Sequence, residues 1–377
     1  MISVSVQHRF AGFDLDVAFE TPPGVTVLFG ASGSGKTTLV NAVAGLLRPD
    51  AGRIVAGDWV LLDTAARRFV PPHRRRLGYV FQEGRLFPHL TVRQNLTYGR
   101  WFAPRGAQAP GLAHVVDLLG LGDLLDRRPG ALSGGEKQRV AIGRALLAAP
   151  KLILADEPLA ALDEARKAEI LPYFERLRDE ITVPILYVSH SSAEVARLAT
   201  TVVALREGRV TAVGPPGRVL GDVAAMGVRG AASVLTARIV AHHADGLSEL
   251  ATAGGRLWLP QVPDAPGSRL RVRIAAQDVI LSRARPEGLS ALNILAGTIT
   301  ELRPGHGPGA MVVLAVGADR LLARVTRRSA EAMGLAAGQD CHAILKTVAV
   351  APEDVGTGAR EPAAAGGPRG TFDRTVR

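Results

Sequence analysis

The segment from Gly30 to Thr38 constrains the fold of this chain more than any other. It reads GASGSGKTT and matches the phosphate-binding pattern G-x-x-x-x-G-K-[ST] in full. Glycine adopts backbone conformations that a Cβ forbids, so the amides of such a loop can wrap a polyphosphate at a helix N-terminus. The β-branched run 25–29 before it predicts a buried strand, and residues 37–47 after it predict a helix. The candidate nucleotide-binding residues are Gly30, Ala31, Ser32, Gly33, Ser34, Gly35, Lys36, Thr37 and Thr38.

Two later apolar runs end in side chains suited to phosphate chemistry. Residues 151–155 lead into Asp156 and Glu157, and residues 185–189 lead into His190. Open α/β sheets bind ligands at the carboxyl ends of their strands, so we expect all three side chains at the phosphate loop. There Asp156 would hold Mg²⁺, Glu157 would orient or deprotonate an attacking water, and His190 would contact a γ-phosphate.

A second glycine-rich helix start lies about a hundred residues after the first. It consists of Ser133, Gly134, Gly135 and Glu136, followed by a helical apolar pattern to residue 149. Two glycines at a helix N-terminus predict a second cradle for an anion, and Ser133 is placed to touch a phosphate. An ordinary N-cap role for Ser133 explains the same residues.

These motifs, in this order, resemble the ATPase subunit of ABC transporters over residues 1–230. The resemblance implies an α/β P-loop NTPase that binds ATP and Mg²⁺, with a helical insert at about 92–150. It adds Gln82 as the Q-loop glutamine and Asp163 as the D-loop aspartate. The implied catalytic set is Glu157, His190 and Gln82, and the implied Mg²⁺ set is Thr37, Gln82 and Asp156.

The same resemblance implies partners. In this family the signature, here Ser133 to Glu136, faces the P-loop of a second identical chain, so a homodimer encloses two ATP molecules. It further implies two transmembrane permease subunits, a periplasmic oxyanion-binding protein, and a peripheral location at the cytoplasmic face of the inner membrane. Phe10 is the candidate that stacks on adenine, with His8 and Phe13 as alternatives.

After residue 230 the pattern changes to short strands with Gly and Pro turns, which predicts a separate all-β module at 235–352. Residues 290–299, 329–335 and 344–346 resemble the small OB-like, molybdate-binding Mop fold, with a core at about 288–352. Residues 353–377 are predicted to be a disordered tail.

The Mop resemblance, with the similarity of residues 78–89 and 132–147 to the ATPase of molybdate importers, implies molybdate as both transported and regulatory ligand. Candidate oxyanion ligands are Ser290, Asn293, Ser329 and Lys346, which suit a tetrahedral dianion. A structural role accounts for each of these residues equally well: Ser290, Asn293 and Ser329 as turn caps, and Lys346 as a solvated lysine. Leu292 stands where a basic residue is usual. The alternative transported ligands are tungstate and sulfate or thiosulfate.

The net charge of +10 does not by itself indicate that the chain binds nucleic acid. The clusters 67–68 and 74–76 lack interleaved aromatic residues, so a solvated arginine-rich surface is predicted. The single cysteine, Cys341, excludes an internal disulfide and is predicted to be buried. No apolar run reaches 18 residues and no signal segment is evident, so a cytosolic chain is expected. A soluble ABC ATPase acting on DNA or ribosomes, and an oxyanion store, are the alternatives from other classes.

Overall fold

The computed structural model describes residues 1–358 except 104–106, 108, 223–225, 227–229 and 306. The helices are α1 (Lys36–Ala44), α2 (Val92–Tyr98), α3 (Leu112–Leu118), α4 (Gly134–Leu147), α5 (Glu164–Glu180), α6 (Ser192–Leu198), α7 (Pro216–Leu220) and α8 (Arg327–Ala332). Short 3₁₀ turns lie at Pro72–Arg74, Gly99–Phe102, Gly122–Leu124, Pro129–Ala131, Ala276–Asp278, Thr347–Ala349 and Pro352–Asp354.

One large sheet organises the N-terminal domain. Its strands are β1 (Ile2–Phe10), β2 (Phe13–Thr21), β3 (Val25–Phe29), β4 (Ala51–Ala56), β5 (Trp59–Asp63), β6 (Arg68–Phe69), β7 (Leu77–Val80), β8 (Leu152–Asp156), β9 (Ile185–Ser189), β10 (Thr201–Arg206) and β11 (Arg209–Gly214). They lie in the order β6-β5-β4-β1-β2-β11-β10-β3-β9-β8-β7. The segment β10-β3-β9-β8-β7 is parallel, whereas β1, β2, β4, β5 and β6 pair antiparallel.

The parallel register brings the predicted strand-end residues to one edge. Phe29 is opposite Ser189, and Val188 is opposite Asp156. The residues that follow these strand ends are therefore neighbours across three strands.

The central strands are buried on both faces, which explains their continuous apolar runs. In β8, Leu152 and Leu154 pack with α1 and the antiparallel strands, while Ile153 and Ala155 pack with the helical insert. Within the range of the predicted helical insert, the structure has the helices α2, α3 and α4. The helix predicted at 37–47 ends earlier, because Gly45 takes a left-handed conformation with φ 79°.

The C-terminal module consists of two five-stranded antiparallel sheets, as the predicted all-β module requires. Its strands are β12 (Ala232–His242), β13 (Leu247–Thr252), β14 (Gly255–Pro260), β15 (Arg269–Ala275), β16 (Ile280–Ser282), β17 (Asn293–Pro304), β18 (Gly309–Val316), β19 (Asp319–Thr326), β20 (Asp340–Leu345) and β21 (Val355–Thr357). The sheet orders are β14-β13-β12-β15-β21 and β16-β20-β17-β18-β19. The two sheets share one apolar core, which includes Cys341; its predicted burial is confirmed.

The prediction of a solvated arginine surface is wrong for Arg75, which is 0% exposed. Its guanidinium donates to the carbonyl oxygens of Ala42 at 2.8 Å and Val43 at 2.7 Å, in the last turn of α1. The ring of Phe69 lies 4.9 Å from it. The carbonyls at a helix C-terminus favour a cation, which explains how this charge is accommodated inside the protein.

The predicted disordered tail is wrong for its first residues. Val355 to Thr357 form β21, which pairs with β15 and packs on α5 and α6 of the N-terminal domain. Residues 359–377 of the predicted tail lie outside the described residues.

Among the described residues, no helix is long and apolar enough to cross a membrane.

Candidate functional site

The phosphate loop is built around Lys36. Its ammonium nitrogen donates to the carbonyl oxygens of Gly30 at 2.8 Å and Ala31 at 2.9 Å. Burial lowers the pKa of Lys36. Gly35, at φ 100°, precedes the helix, and a Cβ there would lie 3.0 Å from the ring of Phe13. The sequence therefore needs glycine at this position for both conformation and space.

Two adjoining cavities open at the loop. One of about 200 Å³ is lined by Phe13, Ser32, Gly33, Gly35, Lys36, Thr37, Thr38 and Glu157. The other, about 750 Å³, shares Phe13, Ser32 and Gly33 with it and extends to Gly30, Arg206 and Met226. The predicted loop residues and Glu157, the predicted catalytic carboxylate, thus face adjoining cavities.

Of the three candidates for stacking on adenine, Phe13 lines both cavities at the phosphate loop, whereas Phe10 and His8 line neither. Phe10 is 40% exposed at the end of β1, and its ring centroid is 6.4 Å from that of Phe13 and 4.4 Å from that of His8. Stacking of Phe10 on adenine stays a prediction.

Asp156 offers an oxygen suited to a metal ion. Its Oδ1 atom is buried and has no hydrogen-bond partner, while Oδ2 accepts a 3.3 Å hydrogen bond from the hydroxyl of Tyr79. Burial raises the pKa of the Asp156 carboxyl. A buried carboxylate oxygen without a donor is costly unless a cation meets it, and Mg²⁺ prefers oxygen ligands.

The predicted Mg²⁺ ligands Thr37, Gln82 and Asp156 all offer oxygen atoms, which suits Mg²⁺. Thr37 lines the smaller cavity, and Gln82 is exposed two residues after the end of β7. No group of three His, Cys, Asp or Glu side chains that could hold a metal occurs in the part of the chain that the structure describes. That is expected of Mg²⁺, which takes one or two protein oxygens and completes its shell with water and substrate phosphates.

Glu157 and His190 meet at the edge of the sheet. The His190 Nδ1 atom lies 3.5 Å from the Glu157 Oε2 atom, and both side chains retain access to solvent. Glu157 has φ 44°, a left-handed conformation that costs a non-glycine residue about 1–3 kcal/mol and is typical of functional sites. The structure thus brings the two strand-end side chains together, as predicted.

The signature residues do not line the phosphate-loop cavities of their own chain. Ser133 is the exposed N-cap of α4 in a capping box: its amide donates to Glu136 Oε2 at 2.7 Å, and its Oγ accepts from the Glu136 amide at 3.3 Å. The hydrogen bond from the Ser133 amide lowers the pKa of Glu136. Gly134 and Gly135 pack too closely on Leu162 and Ile170 to carry a side chain freely. Asp163 is likewise an exposed N-cap, of α5.

The four candidate oxyanion ligands are divided between two places. Ser290, Asn293 and Lys346 lie at the start of β17, because Asn293 is opposite Leu345. Ser329 follows β19, whose last residue is opposite the start of β18 at the far end of β17.

Two of the four side chains already have partners. The Asn293 amide is fully buried and exchanges two hydrogen bonds with the backbone of Trp258, at 2.6 and 2.9 Å. Ser329 bonds to Thr326, the N-cap of α8. Ser290 and Lys346 are exposed, as is Leu292.

Sequence reasoning missed two residues of the site. Tyr79 contacts Asp156 from the neighbouring strand, a contact that depends on strand register and carries no local signal. Glu194 accepts hydrogen bonds from Tyr187 and Ser189, beside His190. The sequence did contain a signal for Glu194, because Ser191 and Glu194 have the S-x-x-E spacing that is typical of a helix start.

Comparisons with known proteins agree with these features. The ABC transporter family model matches residues 15–160, and the TOBE domain model matches residues 289–352. A curated relative from Rhizobium etli, named molybdenum import ATP-binding protein ModC, is 53% identical over 351 residues, covering 92% of this chain and 98% of the relative. Relatives of the same name from Mesorhizobium japonicum and Paramagnetospirillum magneticum are 51% and 45% identical, covering 95% and 94% of this chain and 98% and 99% of the relatives.

Proposed function

The chain belongs to the family of molybdenum import ATP-binding proteins within the ABC transporters, and we propose that it is the ATP-hydrolysing, energy-coupling subunit of a molybdate importer. One observation carries the enzymatic part. Lys36, Thr37 and Glu157 face one cavity, and His190 lies 3.5 Å from Glu157. A phosphate cradle, a carboxylate and an imidazole close together suit the attack of water on a terminal phosphate.

The residues have separate roles in this proposal. The loop amides and Lys36 hold the phosphates, and Glu157 orients water and accepts its proton as the water oxygen bonds to the γ-phosphorus and ADP leaves. His190 contacts the same phosphoryl group. Mg²⁺, bound by Thr37, Asp156 and Gln82, would neutralise phosphate charge.

The position of the signature supports a homodimer. Ser133 and its glycines form a helix N-terminus that does not line the nucleotide cavity of its own chain, so a second copy would supply the triphosphate they bind. We propose that two chains enclose two ATP molecules.

Ser133→Ala tests this dimer against a purely structural cap. We expect ATPase activity to fall at least about tenfold and ATP-driven dimerisation to be lost, because one charge-assisted hydrogen bond to phosphate disappears. Thr91→Ala is the matched control, since Thr91 closes the same kind of capping box on α2. Both changes should cost about 1 kcal/mol of stability. Equal activities of the two variants, measured by phosphate release and sedimentation, would make Ser133 a cap only.

An aromatic surface beside the Q-loop suits the permease subunits. Trp101 and Phe102 are 81% and 73% exposed, and their rings pack loosely on Tyr98. Tyr98 contacts Phe87, whose ring lies 5.4 Å from Arg144. Arg144 donates to the backbone carbonyls of residues 84 and 85, two and three positions beyond Gln82. We propose that this patch receives a cytosolic segment of each of two transmembrane permease subunits.

This arrangement would place the chain peripherally at the cytoplasmic face of the membrane. Substrate would reach the permease from a periplasmic oxyanion-binding protein.

The C-terminal module is proposed to bind molybdate and to favour an idle state of the ATPase dimer. Feedback of this kind needs different oxyanion affinities in two conformations. Lys346 and Ser290 are the exposed polar groups at one end of the β17–β20 pair and are the most available ligands. Strand register places Ser329 at the opposite end of β17 from Ser290 and Lys346. It would therefore bind an oxyanion only together with other residues.

Lys346→Ala tests the oxyanion site. We expect the affinity for molybdate to fall about 10- to 100-fold, because a hydrogen bond to a charged group contributes about 1.5–3 kcal/mol. Calorimetric titration of the full chain with molybdate, tungstate and sulfate measures both affinity and selectivity. Lys151→Ala, which removes a surface lysine paired with Asp58, is the control. Unchanged molybdate binding and unchanged ATPase inhibition would remove Lys346 from the site; equal or tighter sulfate binding would favour the alternative cargo.

A further inference from the structure

Helix α6 connects the catalytic edge of the sheet with the C-terminal module. It begins two residues after His190 and ends at Leu198. Along its length it packs against α5 and β3 of its own domain and against β15 and β21 of the module. Seven helical residues rise only about 10 Å, so a shift at one end moves the other.

The N-terminal end of α6 is held by a closed circuit of hydrogen bonds that spans His190. Ser189 donates its hydroxyl to Glu194 Oε2 at 2.8 Å and accepts from the Ser191 amide at 2.9 Å. Ser191 Oγ in turn accepts from the Glu194 amide at 3.3 Å. The residues on both sides of His190 are therefore tied to the first turn of α6.

This circuit lies in the protein interior. Ser189 and Glu194 are 3% and 5% exposed, and the buried Tyr187 hydroxyl adds a second 2.8 Å hydrogen bond to Glu194. Burial raises the pKa of the Glu194 carboxyl. Buried hydrogen-bond networks of this kind make the segment rigid.

The C-terminal end of α6 is held by the module. Arg271, on β15, donates to the carbonyl oxygen of Ala199 at 2.8 Å and reaches that of Ala196 at 3.5 Å. These carbonyls end α6, where a cation is favoured. Burial lowers the pKa of Arg271 to about 10, so the guanidinium is charged at neutral pH.

A second set of contacts joins the same helix to β21. Arg197 and Glu175 form a 2.8 Å ion pair whose side chains are 7% and 4% exposed. Glu175 also accepts from the amide of Thr357 at 3.2 Å. Removing one partner of a buried pair is costly, so α6 and β21 are coupled firmly.

We infer that Arg271 and Ser189 are positioning residues for His190: the C-terminal module sets the placement of the imidazole through α6. The inference rests on the proposed role of His190 and deepens the proposed feedback, since it names the route by which a change in the module would reach the catalytic edge. Coupling that passes through one short helix needs both of its ends intact.

The test uses the full chain labelled with ¹³C at the histidine Cε1 positions. The chain has nine histidines, and His190→Gln assigns the resonance of His190. In Arg271→Met we expect that resonance to shift and kcat for ATP to fall about 3- to 10-fold, with KM for ATP unchanged within about twofold. Ser189→Ala, which cuts the circuit at the opposite end of α6, should produce the same two changes. Arg271→Lys should restore part of kcat.

Arg256→Met is the matched control. Arg256 is on β14 of the same sheet, with a side chain 56% exposed and paired to Glu249. This variant should leave the His190 resonance and kcat unchanged. If Arg271→Met and Ser189→Ala lower only the unfolding temperature, with the His190 resonance and kcat as in wild type, the inference is overturned.

Failure of the proposed function would look different. If His190→Gln itself hydrolyses ATP at the normal rate, the catalytic role of His190 is wrong. The resonance shift in Arg271→Met would then still report the link through α6, because that readout does not depend on turnover.

Discussion

Glu157→Gln is expected to stop ATP hydrolysis while ATP stays bound. The amide has nearly the volume of the carboxylate but cannot accept a proton from water, and general-base catalysis contributes about 10²–10⁴-fold to a rate. The residues proposed to cradle phosphate, Gly30 to Thr38, are untouched. With ATP bound but not cleaved, the variant should accumulate as a dimer.

The measurements are phosphate release, nucleotide binding at equilibrium, and sedimentation with and without ATP. Glu164→Gln is the matched control, because Glu164 begins α5, is 64% exposed and pairs with Lys167. It should hydrolyse ATP at the wild-type rate. Turnover of Glu157→Gln within about threefold of wild type would refute the catalytic assignment, since the expected loss is at least about a hundredfold.

Lys36→Met should weaken ATP binding about 10- to 100-fold, and with it hydrolysis at low ATP. In the proposed site the Lys36 ammonium is the point charge for the β- and γ-phosphates, and a hydrogen bond to a charged group contributes about 1.5–3 kcal/mol. Methionine keeps the length and apolar character of the side chain.

Stability should change little in this variant. Burial lowers the pKa of Lys36, which means that the folded protein disfavours the charged form relative to the unfolded chain. Its hydrogen bonds to Gly30 and Ala31 offset only part of that cost. Thermal unfolding without nucleotide, compared with that of the surface variant Lys151→Met, measures the change in stability. An ATP affinity equal to that of wild type would contradict the proposed role of Lys36 in phosphate binding.

The motifs that were predicted well are local in the chain. A strand, a glycine-rich loop and a helix follow one another from residue 25 to residue 44. The placement of Glu157 beside His190 needed one more rule, that carboxyl ends of parallel strands share an edge. Ser133 could be assigned to a helix start from its capping box alone.

The residues that were predicted poorly depend on distant partners. Arg75 looked like part of a solvated run, but the C-terminal carbonyls of α1 and the ring of Phe69 enclose it. Residues 355–357 looked like the start of a tail, but the free edge of β15 accepts them as a strand. The α1 carbonyls lie 33 and 32 residues before Arg75, and the partners of residues 355–357 on β15 lie more than 80 residues before them.

The sequence by itself determined that the chemistry is phosphate chemistry. Phosphate loops, strand-end carboxylates and capped helix starts are each encoded by a few consecutive residues. Only the tertiary structure decided which side chains meet: Tyr79 with Asp156, Asn293 with Trp258, and Arg271 with the end of α6. The physical reason is that strand register and domain docking are set by the burial of whole apolar faces, a sum over many residues that no short segment records.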